Sequence, residues 1–218
     1  MSSFIIGLFT KVIVLFTALP VHEAAHAWAS DKLGDPTAKN MGRLTLNPFA
    51  HLDLMGSLCI LVAGVGWAKP VPINPYRYKN PRVGTALSAL AGPASNILLA
   101  YIFMIFYKLG AGLFLSYGSS QAVWGIFAIL QMVILLNISL AVFNLLPIPP
   151  LDGSKILQLV LPQQTYYRIM QYERYIMLAV FFLLFTGILS TPLSFLSRLL
   201  YGGLDFLTGY VDILVRLL

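Results

Sequence analysis

Apolar residues come in long runs along this chain, and the polar ones collect in the gaps between them. From about Phe4 to Lys32 the pattern predicts one membrane-length helix, with Lys11 as an isolated charge and Pro20 in its interior. Proline lacks a backbone N–H and clashes with the preceding turn, so a kink is expected one turn before the stretch "HEAAH". "DPTAKNMGRLTLNPFAHLD" follows, rich in turn formers, and within it the alternating "RLTLN" predicts a short strand. The next apolar run, "LMGSLCILVAGVGWA" (54–68), is short and glycine-rich. "KPVPINPYRYKNPR" carries four prolines in fourteen residues, which predicts extended backbone.

Uncharged "VGTALSALAGPASNILLAYIFMIFY" (83–107) is long enough to cross a bilayer core, and Ala91, Gly92, Ala94 and Ser95 permit close helix approach. A further run from about Val123 to Leu146 contains Gln131, Asn137 and Asn144. After "LPIPPLDGSK" comes "YIMLAVFFLLFTGILS" (175–190). The tail from Pro192 to Leu218 mixes apolar residues with Arg198, Asp205, Asp212 and Arg216, as an interfacial segment or a sixth span would. The whole pattern predicts an all-α integral membrane protein. It is a polytopic helical bundle of about five to six membrane segments, with a short re-entrant or strand-containing region between the first and second long helices.

Composition agrees. The 218 residues are 58% hydrophobic and 10% charged, with a mean hydropathy of +0.81, too little charge to cover a soluble domain. "MSSFIIGLF" lacks the basic start of a secretory signal, so the first segment is expected to remain. The net charge of +6 comes from basic loops: Lys32, Lys39 and Arg43; Lys69, Arg77, Lys79 and Arg82; Lys155, Arg168 and Arg174. Cytoplasmic loops collect positive charge in this way. That orientation puts the N-terminus and the 108–121 loop outside, in a multi-pass cell-membrane protein, and makes 54–68 leave and return on one side. No basic run with interleaved aromatics points to nucleic acid, and nothing assigns an oligomeric state. The single cysteine, Cys59, excludes an internal disulfide and a Cys-based metal cluster.

Against this apolar background His22, Glu23 and His26 match H-E-x-x-H. Positions i and i+4 share a helix face, so both imidazoles reach one zinc, and Glu23 is placed to act on water as a general base. With so few His and Glu residues, chance supplies roughly four such matches per ten thousand chains. The alternative is a pair of buried, hydrogen-bonded histidines. A catalytic zinc usually takes a third protein ligand. Cys59 and His51 are candidates, and Asp152 in "NLLPIPPLDGSK" is the better one, although "PPLDG" equally reads as a turn or a helix cap. Asn96 and Asn137 read as interhelical hydrogen-bonding residues.

"HEAAH", "LAGPASN" and "NLLPIPPLDG", in that order, resemble the site-2 protease family of intramembrane zinc metalloproteases. "LNPFAHLDLMGS" and "GWAKPVPINP" resemble its compact bacterial and archaeal branch; the likeness covers roughly residues 15–165. It implies that His22, His26 and Asp152 hold one Zn²⁺ per chain, that Glu23 is the catalytic base, and that Asn144 assists at the scissile carbonyl. An interhelical hydrogen bond is the other role open to Asn144. His51 and Asp53 match a family pattern, with Leu54 where the family often has proline. One membrane-embedded metalloprotease domain over 1–218 is then expected, with a catalytic core over about 4–165 and C-terminal membrane segments over about 173–218.

The implied activity is hydrolysis of peptide bonds in or near transmembrane helices of membrane-anchored proteins or peptides, at a site toward the cytoplasmic side of the bilayer. "RLTLN" and "KPVPINP" are expected to pair with unwound substrate. The competing function is a membrane metal-ion transporter or channel using the same His and Asp ligands. Transport favours several ligand stations, and the sequence offers one tight cluster. The intact HEAAH and LDG argue against an inactive relative.

Overall fold

The structure is a computed structural model that describes residues 3–63, 66–114 and 120–217. Its first helices, α1 (Ser3–Phe16) and α2 (Ala18–Lys32), meet at a break on Thr17. Pro20 has no N–H to offer Phe16 C=O, and the Thr17 hydroxyl donates back to Ile13 C=O at 2.6 Å. The predicted kink is therefore present, three residues ahead of its proline, and the pair still forms one span over Gly7–Lys32.

Beyond α2 the chain makes a short turn of helix, α3 (Thr37–Asn40), and reaches "RLTLN". The strand expected there does not form, and no strand occurs among the described residues. The polar groups of 43–47 are spent locally. Thr45 C=O accepts from His51 Nε2 at 2.8 Å, and its hydroxyl accepts from Asn47 N–H at 3.1 Å. Arg43 turns inward to donate to Lys69 C=O and Pro70 C=O. The run 54–68 begins as α4 (Leu54–Ala63) and doubles back. A Cβ on Gly56 would stand 2.0 Å from Trp67 C=O, and Lys69 N–H bonds His51 C=O at 2.8 Å. Lys11, the lone charge of the first segment, donates to Leu61 C=O at 3.0 Å near the end of α4.

The strap that follows has no regular structure up to Asn74 and then a 3₁₀ turn, Pro75–Arg77, where extended backbone was expected. It leads into α5 (Pro81–Phe114), which packs against α2 on one side and α6 (Gln121–Asn144) on the other. Ala100 and Met104 of α5 and Ile134, Ile138 and Val142 of α6 form the buried core, closed by Leu204. The chain then winds through α7 (Leu157–Val160) and α8 (Gln163–Met170) to α9 (Glu173–Phe185), α10 (Ser190–Leu207) and α11 (Gly209–Leu217).

Among the described residues three helices are long and apolar enough to cross a membrane: Gly7–Lys32, Pro81–Phe114 and Gln121–Asn144. There are four if the α9–α10 pair, bent by 84°, is one broken span. Five or six were expected. The run at 175–190 stops at Phe185, where Gly187 turns the chain at φ +77°, and the tail divides into α10 and α11, whose charges recur among apolar residues.

Candidate metal centre

Helix α2 carries His22 and His26 one turn apart, with their ring centroids 4.6 Å apart and nearly perpendicular. Across from them, Ser88, Gly92 and Asn96 recur every four residues on one face of α5. Asn96 Oδ1 lies 2.6 Å from His22 Nδ1, and Ser88 C=O lies 2.8 Å from His26 Nδ1. Both acceptors call for a proton on Nδ1, which leaves the Nε2 lone pairs facing one another 3.0 Å apart. Gly92 makes this approach possible. A Cβ there would lie 2.3 Å from His26 Nε2.

The third group comes from beyond α6. Asp152 opens a 3₁₀ turn, Asp152–Ile156, and Gly153 lets that turn seat directly on the end of α6. A Cβ at Gly153 would be 2.2 Å from Leu145 C=O and 2.5 Å from Leu146 C=O. The turn brings Asp152 Oδ2 to 3.1 Å from His22 Nε2 and 3.4 Å from His26 Nε2, buried and without a hydrogen-bond partner.

Three donor atoms crowded together out of water repel unless a cation lies between them. A tetrahedral zinc with bonds of about 2.0–2.1 Å holds its ligand atoms roughly 3.3 Å apart, close to the three separations here. Among the described residues no other group of three His, Cys, Asp or Glu side chains converges in this way. The donor set fits zinc.

The cluster forms part of the wall of a cavity of about 1070 Å³. Glu23 and Asn144 face the same cavity, with Trp67, Val71 and Ile73 of the strap along another side and Val180 and Phe181 of α9 beyond. The Glu23 carboxylate has no hydrogen bond or ion pair among the described residues. Asn144 donates one amide hydrogen to Leu140 C=O at 3.0 Å, leaving the other for a ligand. His51 and Cys59 are elsewhere: His51 is fully buried between Arg43 and Thr45 C=O, and Cys59 lies in α4. Gly92, Ser88, Asn96 and Gly153 carry the geometry without bearing the chemistry. In the sequence Gly92 read as a small residue for close helix approach and Asn96 as an interhelical hydrogen bonder, whereas Ser88 and Gly153 were marked only by lying near "LAGPASN" and within "LDG".

The model of Peptidase family M50 matches residues 108–187, a stretch that includes Asn144 and Asp152. The protein named "Putative zinc metalloprotease YwhC" of Bacillus subtilis (strain 168) is 43% identical over 185 residues, 84% of this chain and 81% of that one. The chain belongs to Peptidase family M50. Two further relatives match at lower identity. "Putative zinc metalloprotease Rip2" of Mycolicibacterium smegmatis is 28% identical over 212 residues, 92% of this chain and 75% of that one. "Putative zinc metalloprotease MJ0611" of Methanocaldococcus jannaschii is 36% identical over 110 residues, 48% of this chain and 50% of that one. No solved structure matches the chain. In this M50 chain the HEAAH helix lies outside the matched stretch and folds back onto the Asp152 turn within it.

Proposed function

We propose that this M50 member is an intramembrane zinc metalloendopeptidase, holding one Zn²⁺ per chain and hydrolysing peptide bonds in or near transmembrane helices of membrane-anchored substrates. The convergence of His22 Nε2, His26 Nε2 and Asp152 Oδ2 at the end of an apolar span is the observation that carries this reading. Zinc bound there supplies a Lewis acid that polarises the scissile carbonyl and makes water acidic enough to be deprotonated near neutral pH. Glu23 takes the proton of the attacking water and returns it to the leaving amine. A side-chain carboxyl group with no hydrogen-bond or ion-pair partner among the described residues is suited to both transfers. The free amide hydrogen of Asn144 donates to the carbonyl oxygen as negative charge builds on it.

A peptide bond inside a helix is shielded by its own hydrogen bonds, so the substrate must be unwound. Val71 and Ile73 line the cavity in extended backbone, and their main-chain N–H and C=O groups have no partner among the described residues. They offer an unwound strand main-chain bonds that do not demand one sequence. The run 54–68 is a re-entrant hairpin in this reading. The cluster lies at the end of the bundle shared by the three basic loops, which supports a site toward the cytoplasm with the N-terminus outside.

The test joins metal analysis of purified protein to cleavage of a single-span peptide containing helix-breaking residues. Wild type should hold one zinc and cut. His22→Ala and Asp152→Ala should lose both properties, whereas Glu23→Ala should keep zinc and lose cleavage. A wild type that moves metal across vesicles and cuts nothing would establish transport instead.

A further inference from the structure

Asn96 does more than tie α5 to α2. Its Nδ2 donates to Asn137 Oδ1 on α6 at 3.2 Å, and Asn137 Nδ2 donates in turn to Val133 C=O at 2.9 Å. Asn96 and Asn137 are both fully buried. The direction of this chain is fixed at its far end, because a backbone carbonyl can only accept. Val133 C=O therefore claims the NH₂ of Asn137 and turns its oxygen toward Asn96. That oxygen claims the NH₂ of Asn96 and turns the Asn96 oxygen toward His22. His22 must then carry its proton on Nδ1 and present the Nε2 lone pair to the metal centre.

We propose that Asn137 is a positioning residue for the metal centre. Through the amide of Asn96 it sets the tautomer of His22, although it touches neither the ligand nor the metal. The proposal rests on the metalloprotease reading above and extends it to α6. His26 needs no such relay, since Ser88 C=O meets its Nδ1 directly. The two imidazoles are thus oriented by different means, and only that of His22 depends on α6.

Removing the Asn137 oxygen frees the Asn96 amide to rotate and offer its NH₂ to His22, which favours the wrong tautomer for metal binding. Partners of this kind are worth roughly 10- to 100-fold in metal affinity. The decisive experiment is a double-mutant cycle read as zinc affinity by chelator competition in detergent. Asn137→Leu should weaken zinc binding by about that factor. Asn137→Ser, which removes the amide without adding apolar bulk, should do the same. Asn96→Asp offers His22 only acceptor oxygens, but sets the second of them against Asn137 Oδ1. In that background removing the Asn137 oxygen, as Asn137→Leu does, should cost no zinc affinity.

Equal losses from Asn137→Leu in both backgrounds would mean a packing defect and overturn the relay. So would wild-type zinc affinity in Asn137→Leu and Asn137→Ser. A wild-type protein that binds no zinc overturns the metal-centre reading and the relay with it.

Discussion

At the scale of single residues, the metal centre depends on atoms that are absent as much as on those present. Gly92 faces His26 across a gap too narrow for one methyl group. Gly92→Ala should therefore displace the imidazole pair and abolish zinc binding, measured by metal content, in a chain that still inserts. Glu23→Gln is the complementary change. It keeps the size of the side chain, removes the proposed base, and should lower cleavage by about 10²–10⁴-fold at unchanged zinc content. HEAAH was legible in the sequence because a helix fixes the i, i+4 relation over a single turn. Asp152 stood out as the better third-ligand candidate but read equally as a turn residue or helix cap, and only the family resemblance favoured the ligand role, because nothing local says which end of which helix it will meet. Gly92 was legible as one of four small residues permitting close helix approach, but not as the one facing an imidazole, and Gly153 gave no sign of what presses against it.

At the scale of elements, the strap beside the cavity is held by a buried latch at the end of α2. Asp35 accepts from the Thr37 hydroxyl and N–H, from Asn74 N–H at 2.6 Å and from the Ser30 hydroxyl at 3.2 Å. Burial on its own pushes the Asp35 carboxyl up, but these hydrogen bonds outweigh it and hold it below the usual carboxylate range. A lowered folded-state pKa stabilises the protein above the unfolded value, about 3.9. That stability is lost as pH falls from there through the folded value. The strap around Asn74 should accordingly gain hydrogen exchange in this acid window. Asp35→Asn should exchange faster already at neutral pH, destabilised by about 2 kcal/mol, and respond less to acid.

The long helices were legible at this scale from unbroken apolar runs alone. "RLTLN" was misread because alternation over five residues is satisfied equally by local turns, and Arg43 is drawn inward to the Lys69 and Pro70 carbonyls. Charge led to the expectation that 54–68 leaves and returns on one side of a membrane; the structure shows Trp67 packed back against Gly56.

At the scale of the molecule, the two ends of α5 have separate tasks. Near its start α5 touches the imidazoles. About 24 Å farther on, at 1.5 Å per residue, Lys108 pairs with Asp205 of α10 and Asp212 of α11. Lys108→Met should lower the melting temperature and leave zinc affinity unchanged, because the two sites share no partner. Zinc itself should raise the melting temperature, by about 4 kcal/mol of added stability at a thousand times its dissociation constant. A chelator should reverse that gain, and His22→Ala should never show it. Pairing residues 22 and 26 with residue 152 also has a temporal side. At about 5–20 residues per second of synthesis, the imidazoles leave the ribosome roughly ten seconds or so ahead of their carboxylate partner. A newborn chain, inserted among other unfinished helices, is thus unarmed until its second half arrives.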